Sequence, residues 1–401
     1  MGFSQGLSGL SAAAKALDVV GNNIANSQTV GFKAGSVSFA DIFAGSNGMG
    51  VQVASVDQNF GNGILAGGSS PLDMGINGKG FFRMVDAAGS VFYGRNGQFK
   101  EDENGYIVNR TNGLFLTGYQ ATDGVINPGA PVGPIRIPKE DAPPEATTKG
   151  AMSGNLKSGH DPLDPAKFDP EKGDTYSYFS EMRATDSLGN EHTIKVYFVK
   201  TGDNQWTAFA QDGTAPEMDG ADPKFTEIPL TYSDDGKLTT SGIGTVKGVS
   251  WNGGAPIEME LDLSKMTQYA SDDVAKSEVN GQKLGKFNGY EVSDSGEITA
   301  IYNNGQRKVV AQVVLADFAN AGGLEQQGNN LWAESVQSGT PFIGTSGSGS
   351  FGAISGGMVE QSNVELGDEM VNMIVYQRNY QSNSQTIKTQ SEVLQTLVNL
   401  R

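Results

Sequence analysis

The pattern of hydrophobic and polar positions divides the chain into two helical ends and a β-rich middle. Leu7, Leu10, Ala14, Leu17, Gly21 and Ile24 recur at alternating intervals of 3 and 4, the a/d spacing that gathers apolar side chains into one seam along a helix. It predicts a short amphipathic helix within 1–27. At the other end Leu366, Met370, Met373, Gln377, Tyr380, Ser384, Ile387, Ser391, Leu394 and Val398 keep the same spacing, predicting a longer helix within 364–401. Polar residues at seam positions lower stability but fix register and partner. A short helix with one apolar stripe is marginal alone. The two ends are therefore expected to pair with each other or with neighbouring copies as a coiled-coil-like polymerisation domain. Its interface would be Leu7, Leu10, Ala14, Leu17 and Ile24 against Leu366, Met370, Met373, Tyr380, Ile387, Leu394 and Val398.

Between the ends, 28–70 is rich in Gly, Ser and Asn with scattered Phe32, Phe39, Phe43 and Phe60, which predicts an extended or loosely structured connector. From Leu72 the pattern turns to short strands at 80–85, 90–93 and 105–108, with Ala88-Gly89 and Asn104-Gly105 at the breaks as hairpin signals. Pro128, Pro131, Pro134, Pro138, Pro143 and Pro144 punctuate 127–144 and mark a boundary near Ala146. Further strands are expected at 193–199, 205–210 and 257–263, the last with strict apolar/polar alternation. The runs 309–318 and 331–333 return to the style of the first β segment. The fold expected is α+β and multi-domain, with two mainly antiparallel β domains. The inner one spans 71–145 and 284–363, and the outer one, 146–283, is inserted within it.

Composition narrows the function. The 28 basic and 45 acidic side chains give a net charge of -17, which disfavours nucleic acid and anionic membrane surfaces, since both require clustered Lys and Arg. Glycine, at 55 of 401 residues, is about double the usual ~7% and points to turns and strand kinks. No cysteine is present, so disulfides, thiolate metal sites and a cysteine nucleophile are excluded. No stretch of ~18 apolar residues and no cationic, then apolar, leader occurs; neither membrane insertion nor a cleaved Sec-type signal is expected.

Candidate chemistry is sparse. His160 and His192 are the two histidines; neither has the spacing of a metal cluster or a Ser-His-Asp set, and both are expected at the surface. Gly347, Gly349 and Gly352 fit G-x-G-x-x-G but lack the preceding strand and following helix of a dinucleotide site, so a loop is expected. Asp102-Glu103-Asn104-Gly105 lacks the spacing of an EF-hand and reads as a turn. Asn109-Arg110-Thr111 fits a glycosylation pattern short enough to arise by chance. Glu258, Glu260 and Asp262 alternate along one strand face, the ordinary form of a solvated acidic face. No catalytic, cofactor-binding or metal site is expected.

The segment Gly21-Asn22-Asn23-Ile24-Ala25-Asn26-Ser27-Gln28-Thr29-Val30-Gly31-Phe32-Lys33 resembles the N-terminal signature of the rod and hook family, the axial proteins of the bacterial flagellum. Gln361-Ser362-Asn363-Val364, Glu369-Met370-Val371, Gln377-Arg378-Asn379-Tyr380 and Asn383 resemble its closing signature. Gly78-Lys79-Gly80-Phe81-Phe82, Arg95-Asn96-Gly97-Gln98-Phe99 and Asp317-Phe318-Ala319-Asn320 with Gly323-Leu324 are similar to internal segments. The likeness covers roughly 1–120 and 300–401; 146–283 carries no recognised signature. The family-motif residues are Asn22, Asn23, Ala25, Asn26, Thr29, Gly31, Phe32, Lys33, Gln377, Arg378 and Tyr380. The large inserted section favours a hook-type member over a distal rod protein, and a rod or hook-filament junction protein of the same family is the nearest alternative, separated by tube shape. The resemblance implies a non-enzymatic extracellular subunit of the flagellar hook, a curved, flexible helical homopolymer that acts as a universal joint. It further implies type III export by the flagellar export apparatus, assembly under a hook cap, and end contacts with the distal rod protein and the hook-filament junction protein. An extracellular oligomeric adhesin and a secreted hydrolase using surface acids are the readings from other classes; the first requires a discrete small oligomer, the second turnover dependent on one carboxylate.

Overall fold

In the computed structural model, which describes residues 2–44, 47–214, 225–248 and 252–399, Gly2–Ala25 forms helix α1 and Leu366–Asn399 forms helix α2. The described chain between them is strands, turns and two short 3-10 turns, so the fold is mostly β with a helix at either end. Asp368 and Glu369 occupy the first turn of α2, where carboxylates complement the positive end of the helix dipole.

The stretch expected to be an extended or loosely structured connector contains a two-stranded antiparallel ribbon, Gly35–Ala44 with Asn47–Gln58, whose register shifts at Ser38/Phe39 and Ile42/Phe43. Its glycines and serines hide an alternation that becomes visible only in register. Val37 faces Val56 and Phe39 faces Val53, cross-strand pairs that stabilise a ribbon.

The chain divides into two compact units, one of 1–139, 289–301 and 307–401, the other of 140–288 and 302–306. In the first, Arg307–Asp317 pairs with Phe115–Gln120, then Phe81–Val85, Val91–Gly94, Leu331–Ala333 and Glu325–Gly328 follow in hydrogen-bonded order. Phe81, Tyr93, Phe318 and Trp332 fill one core cluster. The rings meet edge to face, Tyr93–Phe318 at 4.8 Å and Phe81–Trp332 at 5.8 Å, the arrangement aromatic quadrupoles favour. Strands expected at 309–318 and 331–333 are found at Arg307–Asp317 and Leu331–Ala333.

The second unit holds two four-stranded sheets. One is a meander of Tyr178–Thr185, Glu191–Gly202, Gln205–Asp212 and Thr226–Thr231. The other runs Ile243–Lys247, Glu258–Tyr269, Lys149–Lys157, Val274–Val279, with Lys149–Lys157 parallel to Glu258–Tyr269. Both sheets feed one core that includes Met152, Leu156, Phe198, Trp206, Leu230, Met259 and Leu261. Trp206 donates from Nε1 to Gln268 Oε1 at 2.7 Å, so the buried indole N–H is satisfied. Met259, Leu261 and Leu263 point inward while Glu258 and Glu260 are exposed, so that acidic face is solvated.

Both histidines differ from the surface placement expected of them. His192 is fully buried, its Nδ1 2.6 Å from Asp212 Oδ2 and its Nε2 3.7 Å from Asp186 Oδ2. His160 is half-buried, 2.7 Å from Asp273 Oδ2 and edge-on to Trp206 at 5.8 Å. Each is held by a carboxylate distant in sequence, which a buried polar ring requires and spacing along the chain does not disclose.

Candidate functional site

The N-terminal motif is a built corner. Where α1 ends, Asn26 Nδ2 donates to Asn22 O at 3.0 Å and Thr29 Oγ1 donates to Asn26 Oδ1 at 3.1 Å. These local bonds divert the backbone from helix into a turn. Buried Asn23 reaches across, donating to Gly35 O at 2.8 Å and accepting from Gly35 N at 2.9 Å. Gly31 has φ +70°, and a Cβ there would lie 2.5 Å from the Arg95 carbonyl carbon; only glycine permits that approach. Ala25 is exposed and Phe32 half-buried.

Beyond the corner, Lys33 is buried and meets Glu360 Oε1 at 2.7 Å. Arg95, also buried, meets Glu360 Oε2 at 3.1 Å and lies 5.3 Å from the centre of the Phe81 ring. Lys33 also donates to Gly61 O at 2.7 Å, and Arg95 to Gly78 O at 2.8 Å. Gly63 N donates to Glu360 Oε1 and Gly31 N to Glu360 O, both at 2.8 Å. Burial pulls the Lys33 ammonium and the Arg95 guanidinium below their ordinary ranges, opposed by the Glu360 carboxylate. Burying such a cluster contributes little net stability, but removing one member leaves an uncompensated charge. Sequence reading found Lys33 and Arg95 in quoted motifs and missed Glu360, which sits two residues past Met358 in a short strand with no periodic signal.

The helices pair antiparallel. A Cβ on Gly6 would lie 3.0 Å from Ile387 Cγ1, and one on Gly9 2.8 Å from Asn383 Nδ2, while Asn23 lies beside Glu369. The covered face of α1 is therefore Gly6, Ala12, Ala13, Ala16, Val20 and Asn23. Of the expected seam, Leu7 is exposed and Leu10, Ala14, Leu17 and Ile24 are half-buried. Small side chains let the backbones approach and so take the inner face. On α2 the half-buried positions are Glu369, Met373, Tyr376, Asn383, Ile387 and Gln390. Met373 and Ile387 are shared with the expected seam, whereas Leu366, Met370, Gln377, Arg378, Tyr380 and Leu394 are exposed; the Val398 side chain lies outside the described residues.

A broad apolar surface consequently stays open on these helices: Phe3 and Leu7 on α1, and Leu366, Met370, Val371, Ile374, Val375, Tyr380, Val393 and Leu394 on α2. Large apolar side chains exposed in this number on a pair of helices mark an interaction site. Among the described residues no group of three or more His, Asp or Glu could hold a metal ion, and no helix is long and apolar enough to cross a membrane.

Glu369 gives the pair a pH dependence. Burial raises its carboxyl above the ordinary range, helped by neighbouring Asp368 and opposed by the Asn23 side chain, and its Oε2 has no hydrogen-bond partner. A folded value above the unfolded one favours the protonated form. Its stabilising contribution is thus present in acid, below the unfolded glutamate value of ~4.3, and is lost as pH rises through the raised folded value. Glu369→Gln is expected to stabilise the helix pair at neutral pH and to flatten this acid-side gain, read as amide exchange of the first turns of α2 across a pH series; a steeper pH dependence in the variant than in the parent chain contradicts the assignment.

Four family descriptions match the chain: "Flagella basal body rod protein" over 5–33, "Flagellar hook protein FlgE/F/G D1 domain" over 75–153, "Flagellar basal body protein FlaE D2 domain" over 155–283 and "Flagellar basal body rod FlgEFG protein C-terminal" over 355–400. Flagellar hook protein FlgE of Salmonella typhimurium is 45% identical over 408 residues, covering 100% of both chains, and that of Escherichia coli K12 matches to the same extent. The Borreliella burgdorferi protein of the same name is 30% identical over 439 residues, covering 99% of this chain and 98% of its own. Among solved structures, the crystal structure of Helicobacter pylori flagellar hook protein FlgE2 aligns with a TM-score of 0.51 at 16% identity, covering 72% of this chain and 98% of that one, a likeness of fold.

Proposed function

This chain belongs to the flagellar hook protein FlgE family, and from that footing we propose that it builds the hook as an open helical homopolymer through the exposed apolar faces of α1 and α2. The hook is its place in the cell's flagellum, and its role there is structural. The observation that carries the assembly reading is the exposure of large apolar side chains around α2, Leu366, Met370, Val371, Ile374, Val375, Tyr380, Val393 and Leu394. In an open helical polymer each subunit uses two different surfaces, a heterologous contact whose rotation does not close into a ring. Fully burying each Leu of such a face is worth roughly 1.5 to 3 kcal/mol.

Within that proposal the inner faces of the tube come from 1–27 and 364–401, the inner β domain from 71–145 and 284–363, and the outer domain from 146–283. The tube is curved and flexible and transmits torque from rod to filament as a universal joint, outside the cell. Its ends meet the distal rod protein and the hook-filament junction protein, growth proceeds under a hook cap, and delivery is by the flagellar export apparatus.

Negative-stain electron microscopy of the salted-out full chain beside a version trimmed to 28–363 tests this. The full chain is expected to give curved tubes and the trimmed one monomers. Straight tubes favour the distal rod or junction role, and a discrete oligomer favours an adhesin.

A further inference from the structure

Glu360 belongs to a short strand that is a docked peptide in all but its covalent link. Met358–Glu360 pairs antiparallel with Leu65–Gly67. On its flanks Gly357 N donates to Asp73 O at 2.7 Å, Gln361 N to Ile64 O at 2.9 Å, and Asn363 Oδ1 accepts from Ala34 N at 2.8 Å. The groove is cut to receive it: a Cβ on Gly63 would sit 1.9 Å from Gln361 O. Its floor carries the two buried cations, Lys33 and Arg95, both bonded to the one arriving carboxylate. Asp317 also faces Arg95 electrostatically.

We propose that this groove is a peptide-binding site for an extended segment that carries one carboxylate, filled by residues 357–363 of the same chain, and that its filling is what closes the N-terminal corner. Lys33 and Glu360 stand 327 residues apart. Until the last tenth of the chain is in place, Lys33 and Arg95 lack the carboxylate that holds them, and two like charges side by side disfavour burial. The corner after α1, which sets where the helix leaves the β core, therefore closes only on a complete chain. An incomplete or still-threading chain stays open at the corner even where its strands have formed. This inference does not depend on the tube-building face, and its test does not use assembly.

Pulse-labelling amide exchange during refolding of the full monomeric chain provides the test. The amides of Gly31, Ala34 and Gly63, whose acceptors are Glu360 and Asn363, are expected to gain protection in the same phase as Val359 and Gln361, and later than 194–210. Protection of Gly31 and Gly63 ahead of Gln361 overturns the proposal, with no variant needed. In the native full chain, Glu360→Gln is expected to lower protection at Gly31, Ala34 and Gly63 by roughly 100-fold or more, the order set by breaking a buried pair on one side, while 194–210 are unchanged. Unaltered protection at those three amides in that variant likewise overturns it.

Discussion

Val371→Asp combined with Ile374→Asp leaves the monomer folded and abolishes tube growth. Both side chains are more than half exposed in the single subunit, so their loss removes no core contact, and exposed substitutions of this kind change stability by about 0.5 kcal/mol or less. In a polymer the same positions would be desolvated. A carboxylate buried there without a partner costs several kcal/mol at every repeated contact, enough to shift the critical concentration by orders of magnitude. Unchanged thermal unfolding together with absence of sedimentable tubes is the expected pair of results. Normal tubes from the double variant would place the assembly surface elsewhere.

Lys33→Met is expected to have the largest effect on the fold. The substitution keeps much of the apolar stem but leaves Glu360 with Arg95 as its one cation and Gly61 O without its Lys33 donor. Breaking a buried pair on one side costs about 3 to 5 kcal/mol, a large share of ordinary domain stability. Denaturant unfolding followed by segment-resolved exchange should show the unit containing α1 and α2 losing that amount and 149–279 losing none. Equal loss in both units would mean that the charge cluster does not act locally.

Much of the fold was legible because it follows periodicity. Alternating Ile257, Met259, Leu261 and Leu263 marked a strand that the structure extends as Glu258–Tyr269, and a 3-4 spacing marked both helices. What periodicity could not reveal was which of two adjacent helix faces is the inner one. The apolar count favoured Leu7, Leu10 and Leu17, whereas closeness of approach favours Gly6, Ala13 and Ala16, because a glycine or alanine face brings two backbones together and leaves the larger side chains outside. The ribbon at Gly35–Ala44 and Asn47–Gln58 was hidden by composition, since its pairing lies between strands and not along one. Lys33, Arg95 and Glu360 are a constellation of tertiary origin that nothing in local sequence brings together, whereas His192, Asp186 and Asp212 meet through two consecutive hairpins of one meander.

The glycine contacts between the helices also set a mechanical property. Asn383 seats against Gly9 and Ile387 against Gly6, like a key in a slot. Sliding α1 toward the start of α2 by one heptad, about 10 Å at 1.5 Å per residue, would bring Tyr376 to Gly9 and Tyr380 to Gly6, rings far too large for notches cut for an amide and a butyl group, whereas the opposite slide brings Gln390 and Leu394, again an amide and a butyl group. The pair is thus keyed in one direction only: a slide toward the start of α2 is blocked by two rings, whereas the opposite slide meets side chains of the size the notches already hold, so the shaft works as a ratchet.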